Sequence, residues 1–199
     1  MNGEFQRLRC PKEPGMIVFS RTTAMTAAIL VISAIHMNAS AQDSDKLPKT
    51  VETAIGADKD CQDYNAVHLR KARVSARLGE TQTLFLLPCF TGAYYVVYRV
   101  YVFDTRYPRE LRPSLFASYS DEMGWSGTDS LINADYDEKT KTLTAFEKGR
   151  GLGDCGSIPT YQWAEYGWRM TEYRYWGKCD GTRMPEKWPV IYRFKKPKD

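Results

Sequence analysis

Hydrophobic and polar positions along the chain fall into three successive patterns. A charged head (Arg7, Arg9, Lys12, Arg21) precedes an uncharged apolar run at 24–35, which the small triplet Ala39-Ser40-Ala41 closes. Residues 42–49 are polar, and 50–62 are spaced for one short helix, weakened by Gly56 in its middle. Beyond residue 70 the period becomes two. Ala72, Val74, Ala76 and Leu78 alternate with Lys71, Arg73, Ser75 and Arg77, predicting a half-buried strand with one apolar and one basic face. Gly79-Glu80 turns the chain into a strand at 81–89, and Thr91-Gly92 separates that from a Tyr- and Val-rich strand at 93–103. Pro108 and Pro113 bracket a loop, 114–119 reads as a short strand, and Gly124 with Gly127 marks an irregular segment. Residues 131–146 read as a hairpin around the polar turn Asp137-Glu138-Lys139-Thr140. After a Gly-rich loop at 149–156, strands are expected at 161–164, 168–175 and 188–194. Seven to nine short strands without long helical patterns predict an all-β domain. Its expected form is an antiparallel sandwich or small barrel with one short N-terminal helix.

The first pattern has the three-part plan of a secretory signal peptide, with cleavage expected between Ala41 and Gln42. A leader at 1–41 exceeds the usual length of roughly 15–30 residues, and a true start at Met16 keeps Arg21 as its positive region while shortening it. The apolar core is well short of the ~20 residues a spanning helix requires, and Gln42, not cysteine, follows the cleavage point, so no stable membrane anchor is expected. The product, residues 42–199, has one domain's length. Removing the leader's four basic and two acidic side chains from 28 Lys+Arg and 24 Asp+Glu leaves 24 and 22, a formal charge of +2. That is far from the clustered basic face of a nucleic-acid binder, and no nucleic-acid partner is expected. A content of 43% hydrophobic and 13% aromatic residues excludes disorder.

Cys10 leaves with the leader, so five cysteines become four: Cys61, Cys89, Cys155 and Cys179. In an oxidising compartment three pairings are open to them. The expected one is Cys61 with Cys89 and Cys155 with Cys179, each closing a short loop worth on the order of 3.5 kcal/mol. With no CxxC pair and His68 as the lone histidine after the leader, zinc spacing is absent and no metal is expected.

Three blocks resemble a known family: Leu86-Leu87-Pro88-Cys89-Phe90-Thr91-Gly92-Ala93-Tyr94, the string Lys148-Gly149-Arg150-Gly151-Leu152-Gly153-Asp154-Cys155-Gly156-Ser157, and Cys179-Asp180-Gly181 followed by Trp188-Pro189. Together they are similar to the domain-of-unknown-function 1176 family of bacterial proteins with secretory leaders, over roughly 76–192. The resemblance implies an envelope location and a cysteine-bonded fold, and no established activity.

The chemistry these residues allow is limited. The stretch 151–156 matches GxGxxG, but no amphipathic helix follows it, and no cofactor is expected. Its amides, with Lys148 and Arg150, suit either a small-anion nest or a structural pair of Arg150 with Asp154. His68 stands at an expected strand start without a free thiolate to activate, and Ser126 in Gly124-Trp-Ser-Gly127 is one residue short of a nucleophile elbow, so no catalytic residue is assigned. Trp163, Tyr166 and Trp168 frame Glu165 and Glu172, a set that either packs a core or faces a saccharide. Lys71 and Arg73 on the basic strand face, with the tail Arg193, Lys195, Lys196 and Lys198, suit an anionic envelope polymer or a solvated strand edge. The expected protein is a periplasmic or secreted, non-enzymatic binding or envelope-maintenance module, whose partner is such a polymer or a secreted protein. The alternatives are an envelope glycan hydrolase and an inhibitor of a secreted enzyme.

Overall fold

A computed structural model describes residues 46–196 apart from Gln62 and Glu110. The leader with its Met16 start and Ala41 boundary, Cys10 and Lys198 lie outside the described residues. Helix α1 (Lys49–Gly56) is shorter than the span expected at 50–62, because the chain leaves the helix at Gly56 and re-forms as a single tight turn at Lys59–Cys61. Val51 and Ile55, four apart on one face, are fully buried. A second helix, α2 (Val67–Arg70), stands where a strand start was expected around His68.

Twelve strands follow among the described residues: β1 (Val74–Arg77), β2 (Gln82–Thr91), β3 (Val96–Asp104), β4 (Phe116–Ser120), β5 (Gly124–Thr128), β6 (Ser130–Ile132), β7 (Asp135–Asp137), β8 (Thr142–Thr144), β9 (Glu147–Lys148), β10 (Gly156–Ala164), β11 (Gly167–Trp176) and β12 (Val190–Arg193). Four of them, β6 to β9, have three residues or fewer, too short for alternation to register in the sequence. The segment expected to be irregular at Gly124 and Gly127 is a strand. Its glycines hide the period-two signal while leaving the backbone free to pair.

The first sheet runs β1-β2-β3-β6 and the second β12-β11-β10-β8-β7, with β9 also on β10; β4 and β5 form a separate two-stranded ribbon. All pairings are antiparallel. Leu84, Leu86, Tyr98 and Val100 of the first sheet meet Leu143, Ala145 and Tyr161 of the second, with Phe116 of the ribbon, in one core. The alternate residues Phe85, Leu87, Cys89 and Tyr101 pack under Val51, Ile55 and Cys61 in another. Both faces of β2 are therefore covered, which is why Leu84 to Cys89 are all buried and read as a continuous apolar run.

Long-range polar contacts lock these layers. The Cys61–Cys89 disulfide ties the helical layer to β2. Arg99, 5% exposed, bonds Asp58 at 2.7 Å and Asp129 at 2.8 Å, with Asp60 at 3.4 Å. Burial pushes the Asp58 carboxyl up, but the Arg99 hydrogen bond, the bond from the Asp60 N–H and the Arg99 charge together outweigh that and hold it below its ordinary value. At Asn133, with φ of 47°, the expected hairpin at 131–146 divides, β6 joining the first sheet and β7–β8 the second. The Asn133 side chain accepts from the Val96 N–H and donates to the Phe146 carbonyl, bridging the two. Tyr161 and Tyr173 then hold the ribbon: the Tyr161 hydroxyl bonds both the N–H and the carbonyl of Ala117 at 3.1 Å, and that of Tyr173 accepts from the Tyr119 N–H at 3.1 Å.

Candidate functional site

The Gly-rich loop between β9 and β10 is a knot. Gly156 has φ of 134°, and a Cβ there would collide with the Glu147 carbonyl oxygen; Gly153 has φ of 69°. A Cβ at Gly149 would press on the Cys155 sulfur. These glycines let the chain double back so that Cys155 reaches Cys179. Inside the loop Asp154 is fully buried, accepting from Arg150 at 2.7 and 2.5 Å and from the Gly181 N–H at 2.7 Å. The Arg150 hydrogen bonds hold its carboxyl down to about 2. Of the two readings of this loop, the residues form the ion pair.

The knot gathers other groups at one corner. Gly151 lies against the Tyr94 ring, 3.4 Å from where a Cβ would stand, so the β2–β3 turn touches the loop. Leu152 and Tyr94 are exposed. The Lys148 ammonium lies 5.2 Å from the Phe146 ring, while Arg183 and Lys178 lie 4.1 and 5.7 Å from the Trp176 ring. The Asp180 charge acts on both Arg150 and Lys178. Lys148, Arg150, Lys178 and Arg183 are thus the cations of the loop and of the segment its disulfide joins, with Arg150 paired to Asp154.

The expected aromatic ligand face is not assembled. Trp163 and Trp168 are half-buried, 5.1 Å apart between ring centroids, and pack against the main core. Alternation from Tyr161 puts the Trp163 ring on the core side of β10, and a β-bulge at Thr171, the β11 residue left without a partner between Met170 and Glu172, puts Trp168 on the same side. Tyr166 points into solvent at the turn and donates to Glu165. Glu172 is on the β11–β12 pair, bound by Arg174 at 2.6 Å and Arg193 at 2.6 Å, and these bonds outweigh burial and keep its carboxyl below its ordinary value. An ionised Glu172 has the state of a base or nucleophile, and not of a general acid.

Nor is the basic strand face at β1 as expected. Lys71 lies in the turn after α2, and Arg73 donates to the Tyr64 carbonyl and to Asn65, bracing the loop before α2. Both line a cleft of about 370 Å³ with Leu47, Arg70 and Leu87. The adjoining concavity mixes Lys46 and Arg77 with Glu80 and Glu138, so the region has no single sign of charge. Among the described residues no cluster of three His, Cys, Asp or Glu side chains is arranged to hold a metal, and no helix is long and apolar enough to cross a membrane.

Fold and site together define a disulfide-stapled antiparallel β-sandwich with a knotted, cation-rimmed corner, and the three sequence blocks singled out above meet there. The chain belongs to the family described as Protein of unknown function (DUF1176), whose profile matches residues 21–195, a longer stretch than the expected 76–192. It is 28% identical over 123 residues to the uncharacterized protein YpfG of Escherichia coli (strain K12), a match covering 62% of this chain and 35% of that relative, so it spans about a third of the relative's length. No solved structure matches.

Proposed function

We propose that this protein is an extracytoplasmic, non-enzymatic recognition module that binds an anionic envelope polymer at the knotted corner. The observation that carries the reading is the placement of Lys148 on the Phe146 ring and of Lys178 and Arg183 on the Trp176 ring, on the two segments that Cys155–Cys179 ties together, with Tyr94 and Leu152 exposed at the same loop. A held cation loses little freedom on binding, so more of its attraction to a polyanion survives as affinity. The two disulfides and the leader pattern at 1–41 support a location in an oxidising compartment. The test is a binding titration of the purified protein with dextran sulfate and with cell-wall sacculi across a salt series. Retention is expected to fade between about 50 and 500 mM salt as surface charges are screened. The triple variant Lys148→Ala/Lys178→Ala/Arg183→Ala is expected to bind about tenfold more weakly. Binding indifferent to both salt and the triple variant would overturn the reading.

A further inference from the structure

The corner leaves a second aromatic group unexplained, on the β4–β5 ribbon. Trp125 is 47% exposed, yet three tyrosine rings grip it edge-on: Tyr173 at 4.9 Å between centroids, Tyr119 at 5.1 Å and Tyr192 at 6.4 Å, with interplanar angles of 79°, 61° and 79°. Tyr119 in turn packs on Tyr175 at 4.9 Å. An indole held on three sides and open on the rest is a rigid platform, because its rotamer is set before anything binds. Its strand neighbours keep it open. Gly127, two residues on and on the same face of β5, adds no side chain beside it.

Polar groups stand beyond Tyr119, where its partner Tyr175 makes the rim. A Cβ at Gly177 would collide with both the Asp121 carboxylate and the Tyr175 hydroxyl, so the absence of a side chain there admits the two together. Glu122 follows at the same turn, and both acids are exposed. Such a rim repels the polyanion that the corner attracts, whereas hydroxyl groups donate well to a carboxylate.

We propose that Trp125, with Asp121, Tyr175 and Tyr192, forms a binding site for a neutral glycan, distinct from the corner. The electron-rich indole face takes the apolar C–H face of a pyranose ring, and the carboxylate and phenol hydroxyls take its hydroxyl groups. An extended β-1,4-linked chain suits this best, since its equatorial hydroxyls leave flat apolar ring faces.

Calorimetric titration of the full chain with chitotetraose and with cellotetraose tests the site. At least one is expected to bind with a Kd tighter than about 1 mM. Trp125→Ala is expected to weaken it at least tenfold, roughly what loss of a central aromatic anchor costs, and Trp125→Phe to keep most of it. Asp121→Ala, at an exposed turn, is expected to weaken binding several-fold, and it reads the site even where a Trp125 variant folds poorly. Salt and the Lys148/Lys178/Arg183 triple variant are expected to leave this binding unchanged, which separates it from the corner. No heat with either sugar at about 10 mM overturns the proposal. So does full affinity in Trp125→Ala or in Asp121→Ala.

Discussion

Two tyrosines of the second sheet make a matched pair of perturbations. The Tyr161 hydroxyl, on a residue 3% exposed, accepts the Ala117 N–H and donates to the Ala117 carbonyl, both at 3.1 Å, and so pins the ribbon to the sheet. The Tyr136 hydroxyl is also buried but has no hydrogen-bond partner among the described residues. Each Tyr→Phe substitution removes one oxygen and little volume, so the difference between them isolates the hydrogen bonds. At Tyr161 two bonds of ~1 kcal/mol net each are lost, about 2 kcal/mol in all. For a domain of this length ~3 °C of Tm accompanies each kcal/mol, so Tyr161→Phe is expected to melt about 6 °C lower. Tyr136→Phe loses no bond and sheds an unsatisfied hydroxyl, so its Tm is expected to stay within about 1 °C of the parent or to rise. Differential scanning calorimetry of the two single variants decides. Equal losses in both, or a fall below about 2 °C at Tyr161, would refute the assignment of the ribbon's attachment to these bonds.

Two further outcomes follow from buried groups. Burial raises the Glu147 carboxyl above its ordinary value, only partly offset by the 2.7 Å bond from Ser157, so the folded protein binds this proton more tightly than the unfolded chain does. Its contribution to stability is therefore present at low pH and is lost as pH rises through the raised value, and Glu147→Gln is expected to raise Tm at pH 7 but not near pH 4; a lower Tm at pH 7 would contradict this. The Cys155→Ser/Cys179→Ser double variant opens a loop of sequence separation 24, worth about 3.5 kcal/mol or ~10 °C of Tm by calorimetry, and a fall of under ~3 °C would mean that the Arg150–Asp154–Gly181 bonds alone hold the corner.

What the sequence determined by itself is local. Alternation at 72–78 marked β1, the turn Glu165-Tyr166-Gly167 marked the β10–β11 hairpin, and four cysteines with short separations pointed to the pairing that forms. Period two reports which residues of a strand share a face, and loop closure favours near partners, so both are legible without knowing the fold. Period two does not report what covers each face. The run at 84–89 is apolar throughout because α1 lies on one side of β2 and the second sheet on the other. Arg99 and its carboxylates are 30 to 41 residues apart, and no local pattern announces them. Trp163 and Trp168 carried the expected ligand face, yet alternation from Tyr161 and a bulge at Thr171 of β11 put them to the core. Trp125 lay in a stretch whose glycines hid a strand, and the ribbon pairing set it among three tyrosines. Its flanking signal was present, Tyr119 and Trp125 on either side of a polar turn ending in Gly124, but only the docking of the ribbon onto Tyr161 and Tyr173 gave it meaning. Burial at these positions is a property of pairs distant along the chain, and the tertiary structure alone decides which pairs form.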